Sequence, residues 1–271
     1  MYYTYDEIVE ISLHYEKNSL KKEVTEKINQ IKKELGIYIY EPLKKTIINK
    51  QQDYCGIICK SLNKISEKNY EKLKIDIFEM LEPIEKQEDI NIITNKIFSI
   101  ASSNVFLSKI FSKLYKELID KNEGFMNVFE ENFQKHCELL SNIKYRDPNT
   151  DYDGYCNYVK QIEYLKSGLV FFSNLLKEQI GSKVNIMKLC SKLLDLLKEE
   201  MKHKEKMEYK DELLQSLFIL IKETYNYIYM EDIFKNIKDD IIFIKNHPNC
   251  TQKLKFKCMD INDFIKKQLN K

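Results

Sequence analysis

The sequence predicts an all-α protein, an α-solenoid of about five HEAT-type helical hairpins preceded by a helical N-terminal arm. Apolar residues recur at spacings of three and four along most of the chain, which is the periodicity of one helix face. Only 6 Gly and 4 Pro interrupt the 271 residues. The helical segments pair at a period of roughly 40 residues, which is typical of HEAT repeats. An irregular helical bundle is the alternative, and the regular period favours the solenoid.

The N-terminal arm is predicted over residues 1–40. A short amphipathic segment covers residues 4–17, and a second helix carries the apolar stripe Leu20, Val24, Ile28, Ile31 and Leu35. Gly36 is expected to end that helix. Residues 37–43 are expected to be extended, because Pro42 disfavours helix just before it. We therefore predict that the main domain covers residues 41–271.

The first hairpin of the main domain turns at Leu62–Glu67. The helix before the turn carries Tyr54, Ile57, Ile58, Leu62 and Ile65 on one face, and the helix after it carries Tyr70, Leu73, Ile77, Met80, Leu81 and Ile84. Ser66 is predicted to cap the second helix, because its hydroxyl can accept a hydrogen bond from a free N–H of the first turn. Neither helix can bury its apolar face alone, so further hairpins are expected to pack on this one.

About ten helices are expected after residue 44. Those after the first hairpin carry their apolar stripes over residues 90–101, 107–118, 125–140, 155–179, 186–197, 213–221, 233–244 and 254–265. The polar residues 146–154 are expected to form a loop before an N-capped helix, and the charged residues 198–212 a connection. Pro248 is expected to end the helix before it.

No pattern in the sequence indicates an enzyme or a cofactor. A glycine-rich phosphate loop, an HExxH motif and a GxSxG motif are all missing, and the 4 His are scattered. Residues 149–154 imitate the start of a calcium loop, but the position that needs a bidentate Glu is Lys160. We expect no catalytic residues, no metal and no cofactor. A solenoid without such motifs is typically a binding platform.

Composition favours a protein of a reducing compartment, and we expect it in the cytoplasm. The 7 Cys form no CxxC pair and fall mostly on apolar helix faces. Neither a signal peptide nor an apolar stretch of membrane-spanning length is visible. The net charge is +2, so overall charge does not favour a nucleic-acid or membrane partner. The bias towards Lys, Ile and Asn suggests an AT-rich genome, such as that of a protist or a large DNA virus.

Several segments, in order, resemble one known family. Leu62-Asn63-Lys64-Ile65-Ser66, with Tyr70 and Leu73, is similar to the Leu-Asn-Lys-Leu-Thr-Pro-x-x-Phe-x-x-Leu element that opens the middle domain of eukaryotic translation initiation factor 4G. Residues 104–114, 125–133, 168–176 and 253–256 resemble later segments of that domain. The departures are Leu169, Phe171 and Asn174, where the family has Asn, Lys and Gly, and Lys253 and Lys255, where it has Arg.

The resemblance implies a scaffold that grips both lobes of a DEAD-box RNA helicase of the initiation factor 4A type. One lobe would contact Leu62, Asn63, Lys64 and Ser66, and the other lobe would contact Lys253, Lys255 and Phe256. Such a scaffold stimulates the helicase by binding one arrangement of its lobes better than the other. Core packing is the alternative role of Leu62 and Phe256, and a solvated surface is the alternative for the lysines.

The N-terminal arm carries a second resemblance. Residues 3–9 fit Tyr-x-x-x-x-Leu-Φ, the motif by which factor 4G binds the cap-binding protein, initiation factor 4E. Tyr3 would lead in, and one helical turn would present Ile8 and Val9 to a hydrophobic patch. The function implied is a compact translation initiation scaffold of the cytoplasm, or of the host cytoplasm if the chain is viral.

Two alternatives remain open from the sequence. The same fold could serve another process, such as translational repression, mRNA decay, nuclear cap binding or splicing. The chain could also bind RNA directly and without a helicase, through Lys253, Lys255 and Lys257, because the tail from Lys253 carries an excess of lysine.

Overall fold

The computed structural model describes residues 4–7, 22–35, 54–82 and 87–270. Contacts divide the chain into two units, Met1–Gln52 and Asp53–Lys271. An arm and a main domain are what the sequence predicts, and the predicted boundary at residues 40 and 41 lies outside the described residues.

The first unit contains two described helical pieces. Thr4 precedes a helical turn at residues 5–7, and Thr4 and Glu7 bond reciprocally, with Thr4 N donating to Glu7 Oε2 at 2.7 Å and Glu7 N donating to Thr4 Oγ1 at 3.4 Å. This is a capping box, which fixes the start of a helix. The second piece is α1, Lys22–Glu34, as the apolar stripe of the arm predicts.

Ten helices follow in the described part of the second unit. They are α2 (Tyr54–Leu62), α3 (Tyr70–Leu81), α4 (Gln87–Ser102), α5 (Ser108–Lys121), α6 (Gly124–Asn142), α7 (Tyr152–Lys177), α8 (Lys183–Met201), α9 (Met207–Ile228), α10 (Asp232–Asn246) and α11 (Gln252–Leu269). The described residues contain no strand.

These helices pack as two layers of a stack. The even-numbered helices α2 to α10 each pack on the next even-numbered helix and form layer A, and the odd-numbered helices α3 to α11 form layer B in the same way. Each layer-A helix also packs on the layer-B helix that follows it. Hairpins that contact mainly their neighbours define a solenoid. The predicted all-α, solenoid-like fold is therefore confirmed for the described part of the chain.

The core lies between the layers and is continuous through the hairpins. Ile58, Leu62, Ile65 and Ile77 are buried in the first hairpin as their spacing predicts, whereas Ile57, predicted on the same face, is 43% exposed. In the middle, aromatic rings fill the core, with the centroids of Phe133 and Phe172 5.2 Å apart in an edge-to-face arrangement. Leu and Ile dominate the hairpins from α8 to α11.

The predicted helix ends are partly wrong. Ser66 does not cap α3, which begins at Tyr70 with Asn69 at its N-cap position. The chain is also helical through most of residues 198–212, because α8 continues to Met201 and α9 already begins at Met207. Buried Tyr209 and Asp211 lie in that charged stretch, so tertiary packing overrides its polar composition.

Other helix ends agree with the sequence. Asp151 caps α7 by accepting a hydrogen bond from Gly154 N at 2.9 Å, so the loop at residues 146–154 is followed by an N-capped helix as predicted. That helix begins at Tyr152, slightly earlier than expected. α10 ends at Asn246, before Pro248.

Candidate partner-binding edge

One edge of the stack collects the turns that lead from layer A to layer B. The helices of each hairpin are antiparallel and the hairpins stack side by side, so these turns fall along the same edge. We call this edge the turn edge and define it by residues 63–69, 103–107, 143–151, 202–206 and 247–251. Hydrogen bonds also join the helix ends beside this edge: Asn249 Nδ2 donates to Met201 O, at the end of α8, at 2.9 Å, and Tyr155 OH, in the first turn of α7, donates to Glu208 Oε1 of α9 at 2.8 Å.

The first turn of this edge contains the predicted helicase contacts of the first hairpin. Asn63 and Lys64 are exposed, and Ser66 is half-buried. Leu62 is fully buried and packs in the core, so its side chain supports the turn from inside. The groups that a partner could reach are therefore Asn63, Lys64 and part of Ser66.

Asn69 holds this turn in shape, a role that the sequence pattern did not indicate. Its Oδ1 accepts hydrogen bonds from Ser66 N at 2.7 Å and from Ser66 Oγ at 2.9 Å. Its Nδ2 donates to Lys64 O at 2.8 Å. One amide side chain thus closes the loop that carries Asn63 and Lys64, which orders these exposed groups before any partner binds.

In the last turn the side chain that makes the ordering contacts, Asp211, comes from α9 of the neighbouring hairpin and not from the turn itself. Asp211 is buried and forms an ion pair with Lys253, whose side chain is 70% exposed. The hydrogen bond with Asp211 raises the pKa of Lys253. Lys257 donates to the backbone oxygen of Asp211 at 3.1 Å, and burial lowers the pKa of Lys257. These contacts fix the beginning of α11 against α9.

Phe256 and Lys255 lie on the free side of the same helical turn. Phe256 is 62% exposed although it is a large apolar side chain, and Lys255 is half-buried. Thr251 caps the helix by accepting from Leu254 N at 3.2 Å. An exposed aromatic residue on a fixed helix is the kind of group that dominates binding at protein interfaces.

A groove near the middle of the turn edge was missed by the sequence reading. Phe106, at the turn before α5, is 96% exposed, the most of any large hydrophobic side chain that the structure describes. It borders a groove of about 700 Å³ against the face of α7 that carries Lys160 and Tyr164. Spacing alone could not reveal this, because Phe106 immediately precedes the apolar stripe of α5 and looks like part of it.

The three lysines that were predicted to contact RNA together lie on different sides of α11. Lys253 and Lys257 point to α9 and are engaged by Asp211, whereas Lys255 lies on another side of α11. These three side chains therefore do not form one free basic patch.

The predicted cap-binding-factor contacts Tyr3, Ile8 and Val9 lie outside the described residues. Between them, the capping box of Thr4 and Glu7 begins a helix at the position where the motif needs one. The bond with the Thr4 backbone lowers the pKa of Glu7.

The described residues contain neither a metal site nor a membrane span. Within the described residues, no group of three or more His, Cys, Asp or Glu is arranged to hold a metal ion. No helix in that part of the chain is both long and apolar enough to span a bilayer. No protein-family model matches this chain, and no curated protein matches its sequence.

Proposed function

We propose that this chain is a non-enzymatic translation initiation scaffold of the factor 4G kind. Its turn edge would hold a DEAD-box RNA helicase of the factor 4A type, and residues 3–9 would bind the cap-binding protein, factor 4E. The proposal leaves Leu62 out of the contact because that side chain is buried.

One observation carries the proposal. The two segments that resemble the family's helicase contacts lie on the same edge, in the first and the last described hairpins, with three hairpins between them. Asn63 and Lys64 are exposed at one end, and Phe256 is exposed at the other. A rigid stack with a contact at each end can bind two lobes of one partner at a fixed separation.

Such a scaffold would act by differential binding. A helicase whose lobes move between open and closed arrangements would be held in the arrangement that fits both contacts. The hydrogen bonds of Asn69 and the Asp211–Lys253 ion pair keep the two contacts ordered in advance, which lowers the entropy cost of binding.

Two purified baits test the proposal, a factor 4A-type helicase and a factor 4E-type cap-binding protein. We expect Asn63→Ala/Lys64→Glu to lose only the helicase and Tyr3→Ala/Ile8→Ala to lose only the cap-binding protein. Asn226→Ala/Lys222→Glu, which makes the same change at exposed positions of α9, is the matched control and should retain both.

The proposal fails if the wild-type chain captures neither bait at micromolar concentration. It also fails if the α9 control loses the helicase as strongly as Asn63→Ala/Lys64→Glu does, because capture would then depend on overall charge and not on the turn edge.

A further inference from the structure

The last described hairpin has one side that is turned away from the rest of the stack. On α10, Asp240 pairs with Lys198 of α8 at 2.7 Å, so the opposite side of α10 faces outward. That side carries Lys235, Lys238, Ile242 and Lys245 at spacings of three, four and three. We call this stripe, together with its counterpart on α11, the end face.

The outward side of α11 is identified in the same way, from the contacts of its inward side. Lys253 and Lys257 reach Asp211 of α9, so the side of α11 opposite them also faces outward. It carries Lys255, Met259, Asn262 and Lys266 at spacings of four, three and four. The two stripes contain five lysines, and the exposed Asp239 and Asp263 lie beside them.

Lysines of the end face are mostly without acidic partners. Lys235 pairs with Asp232 at 3.5 Å, and Lys238 lies over the Phe234 ring at 5.8 Å. Lys245, Lys255 and Lys266 form no ion pair with any described residue. Between the lysines, Ile242 and Met259 are each 46% exposed. The end face is therefore an apolar strip between basic positions.

Ion pairs between neighbouring hairpins of the stack indicate which charges a partner of the end face should carry. Where one hairpin packs on the next, the lysine usually belongs to the earlier hairpin and the acid to the later one. Pairs of this polarity are Lys74–Glu117, Lys166–Glu212, Lys177–Glu223, Lys183–Glu231 and Lys198–Asp240. The reverse polarity occurs in Lys113–Glu71 and Lys253–Asp211.

We infer that the end face docks an acidic amphipathic helix of a partner protein, which extends the stack as a further hairpin would. Its apolar residues would cover Ile242 and Met259, and its carboxylates would pair with Lys245, Lys255 and Lys266. This surface shares only Lys255 with the predicted helicase contact, and the Ile242→Ala/Met259→Ala variant tests it without changing that residue.

An acidic helix fits this face better than a nucleic-acid strand does. A phosphate backbone would use the lysines but would leave Ile242 and Met259 uncovered, whereas an amphipathic helix covers both kinds of group. The two stripes themselves carry no aromatic side chain, although the exposed rings of Phe243 and Phe256 lie beside them.

Fluorescence anisotropy with three labelled probes tests the inference. The probes are a helical peptide of about 20 residues with Leu on one face and Glu on the flanks, its twin with Lys for Glu, and single-stranded oligouridine. We expect only the acidic peptide to bind tightly. Lys245→Glu/Lys255→Glu/Lys266→Glu should weaken it by about tenfold or more, since several ion pairs are lost together.

Two control variants identify the surface. Lys96→Glu/Lys188→Glu/Lys222→Glu makes the same change in net charge at exposed positions of α4, α8 and α9 and should bind the acidic peptide like wild type. Ile242→Ala/Met259→Ala should weaken the acidic peptide but not oligouridine. Circular dichroism checks that each variant is folded.

Three outcomes would overturn the inference. In the first, the acidic peptide does not bind. In the second, the control triple variant weakens it as much as the end-face variant does. In the third, oligouridine binds more tightly than the peptide and loses affinity with the end-face variant, which would assign the face to phosphate.

Discussion

The middle of the stack and its turn edge are held together by different interactions. In the middle, Phe98, Phe133 and Phe172 interlock with ring centroids 5.2 to 6.1 Å apart, and His136 packs against the same rings. At the turn edge, single polar side chains hold the structure together: Asn69 in the first turn and Asp211 near the last. Aromatic packing in the middle holds neighbouring hairpins together, and the polar contacts of the turn edge order its exposed side chains.

The difference indicates how stability and binding are divided between the two regions. A change in the aromatic middle alters many contacts at once and should reduce stability without changing what the chain binds. A change at an exposed edge position removes few internal contacts and should alter binding at nearly constant stability. The predictions below test this division.

The largest effect is expected at Gly168 in the middle of α7. A Cβ there would lie 2.0 Å from Cε1 of His136, whose ring is buried and cannot move aside. Gly168→Ala should therefore reduce the free energy of unfolding by about 3 kcal/mol, measured by urea denaturation. Gly124→Ala is the control, because its Cβ meets only the flexible ends of Asn122 and Gln87. An equal loss in both variants would contradict the packing role of Gly168.

Acid should weaken the middle through His136. Its Nε2–H donates to Leu165 O at 3.1 Å, and burial lowers the pKa of His136 from 6.5 to about 4. Between these values the unfolded chain binds a proton that the folded chain refuses, so stability falls as pH drops from 6.5 towards 4. The full loss is about 3 kcal/mol.

Denaturation of wild type and of His136→Gln at several pH values checks this. The Gln variant can keep a hydrogen bond to Leu165 O but does not titrate, so its stability should change less over the same interval. If the free energy of unfolding changed with pH identically in both proteins, His136 would not be the group that weakens the fold in acid.

A smaller loss is expected at the Asp211–Lys253 pair. Lys253→Ala leaves a buried carboxylate without its ion-pair partner and should cost about 2 kcal/mol. Lys255→Ala, two residues further along the same helix, removes a lysine that pairs with no described acid and should cost under about 0.5 kcal/mol. The melting temperatures of the two variants test this expectation. Equal melting temperatures would mean that the ion pair does not stabilise the last turn.

A smaller loss than at the Asp211–Lys253 pair is expected at Asn69. Asn69→Ala removes three hydrogen bonds of the first turn and should cost about 1 kcal/mol, since the turn is partly exposed. Asn69→Asp keeps the acceptor for Ser66 but loses the donor to Lys64 O, so it should cost less. Amide hydrogen exchange should rise at residues 63–69 in the Ala variant and stay unchanged in α7. Uniform exchange changes would contradict a local role.

The sequence predicted the features that depend on local periodicity. The stripe of Ile58, Leu62 and Ile77 is buried as its spacing indicates, and Asp151 caps α7 after the expected loop. These succeed because helix faces and caps are determined by residues within a few positions of each other.

Features that depend on distant residues were not predictable. The role of Asp211 requires Lys253, which comes from another hairpin, and nothing near Asp211 in the sequence indicates burial. Ser66 and Asn69 are both good capping residues, but in the fold Asn69 occupies the N-cap position and its side chain bonds Ser66 and Lys64 instead of the first turn of α3. The exposure of Phe106 depends on how its turn lies against α7, a distant part of the sequence with which it borders the groove.

Binding of the separate helicase lobes is the most direct measurement of the central claim, that the turn edge holds one partner at two ends. Calorimetric titration of each lobe should show that Asn63→Ala/Lys64→Glu weakens one lobe by about tenfold or more, that Phe256→Ala weakens the other, and that neither variant changes the melting temperature. If neither lobe binds the wild-type chain, or if both variants weaken the same lobe, the two-ended contact is wrong.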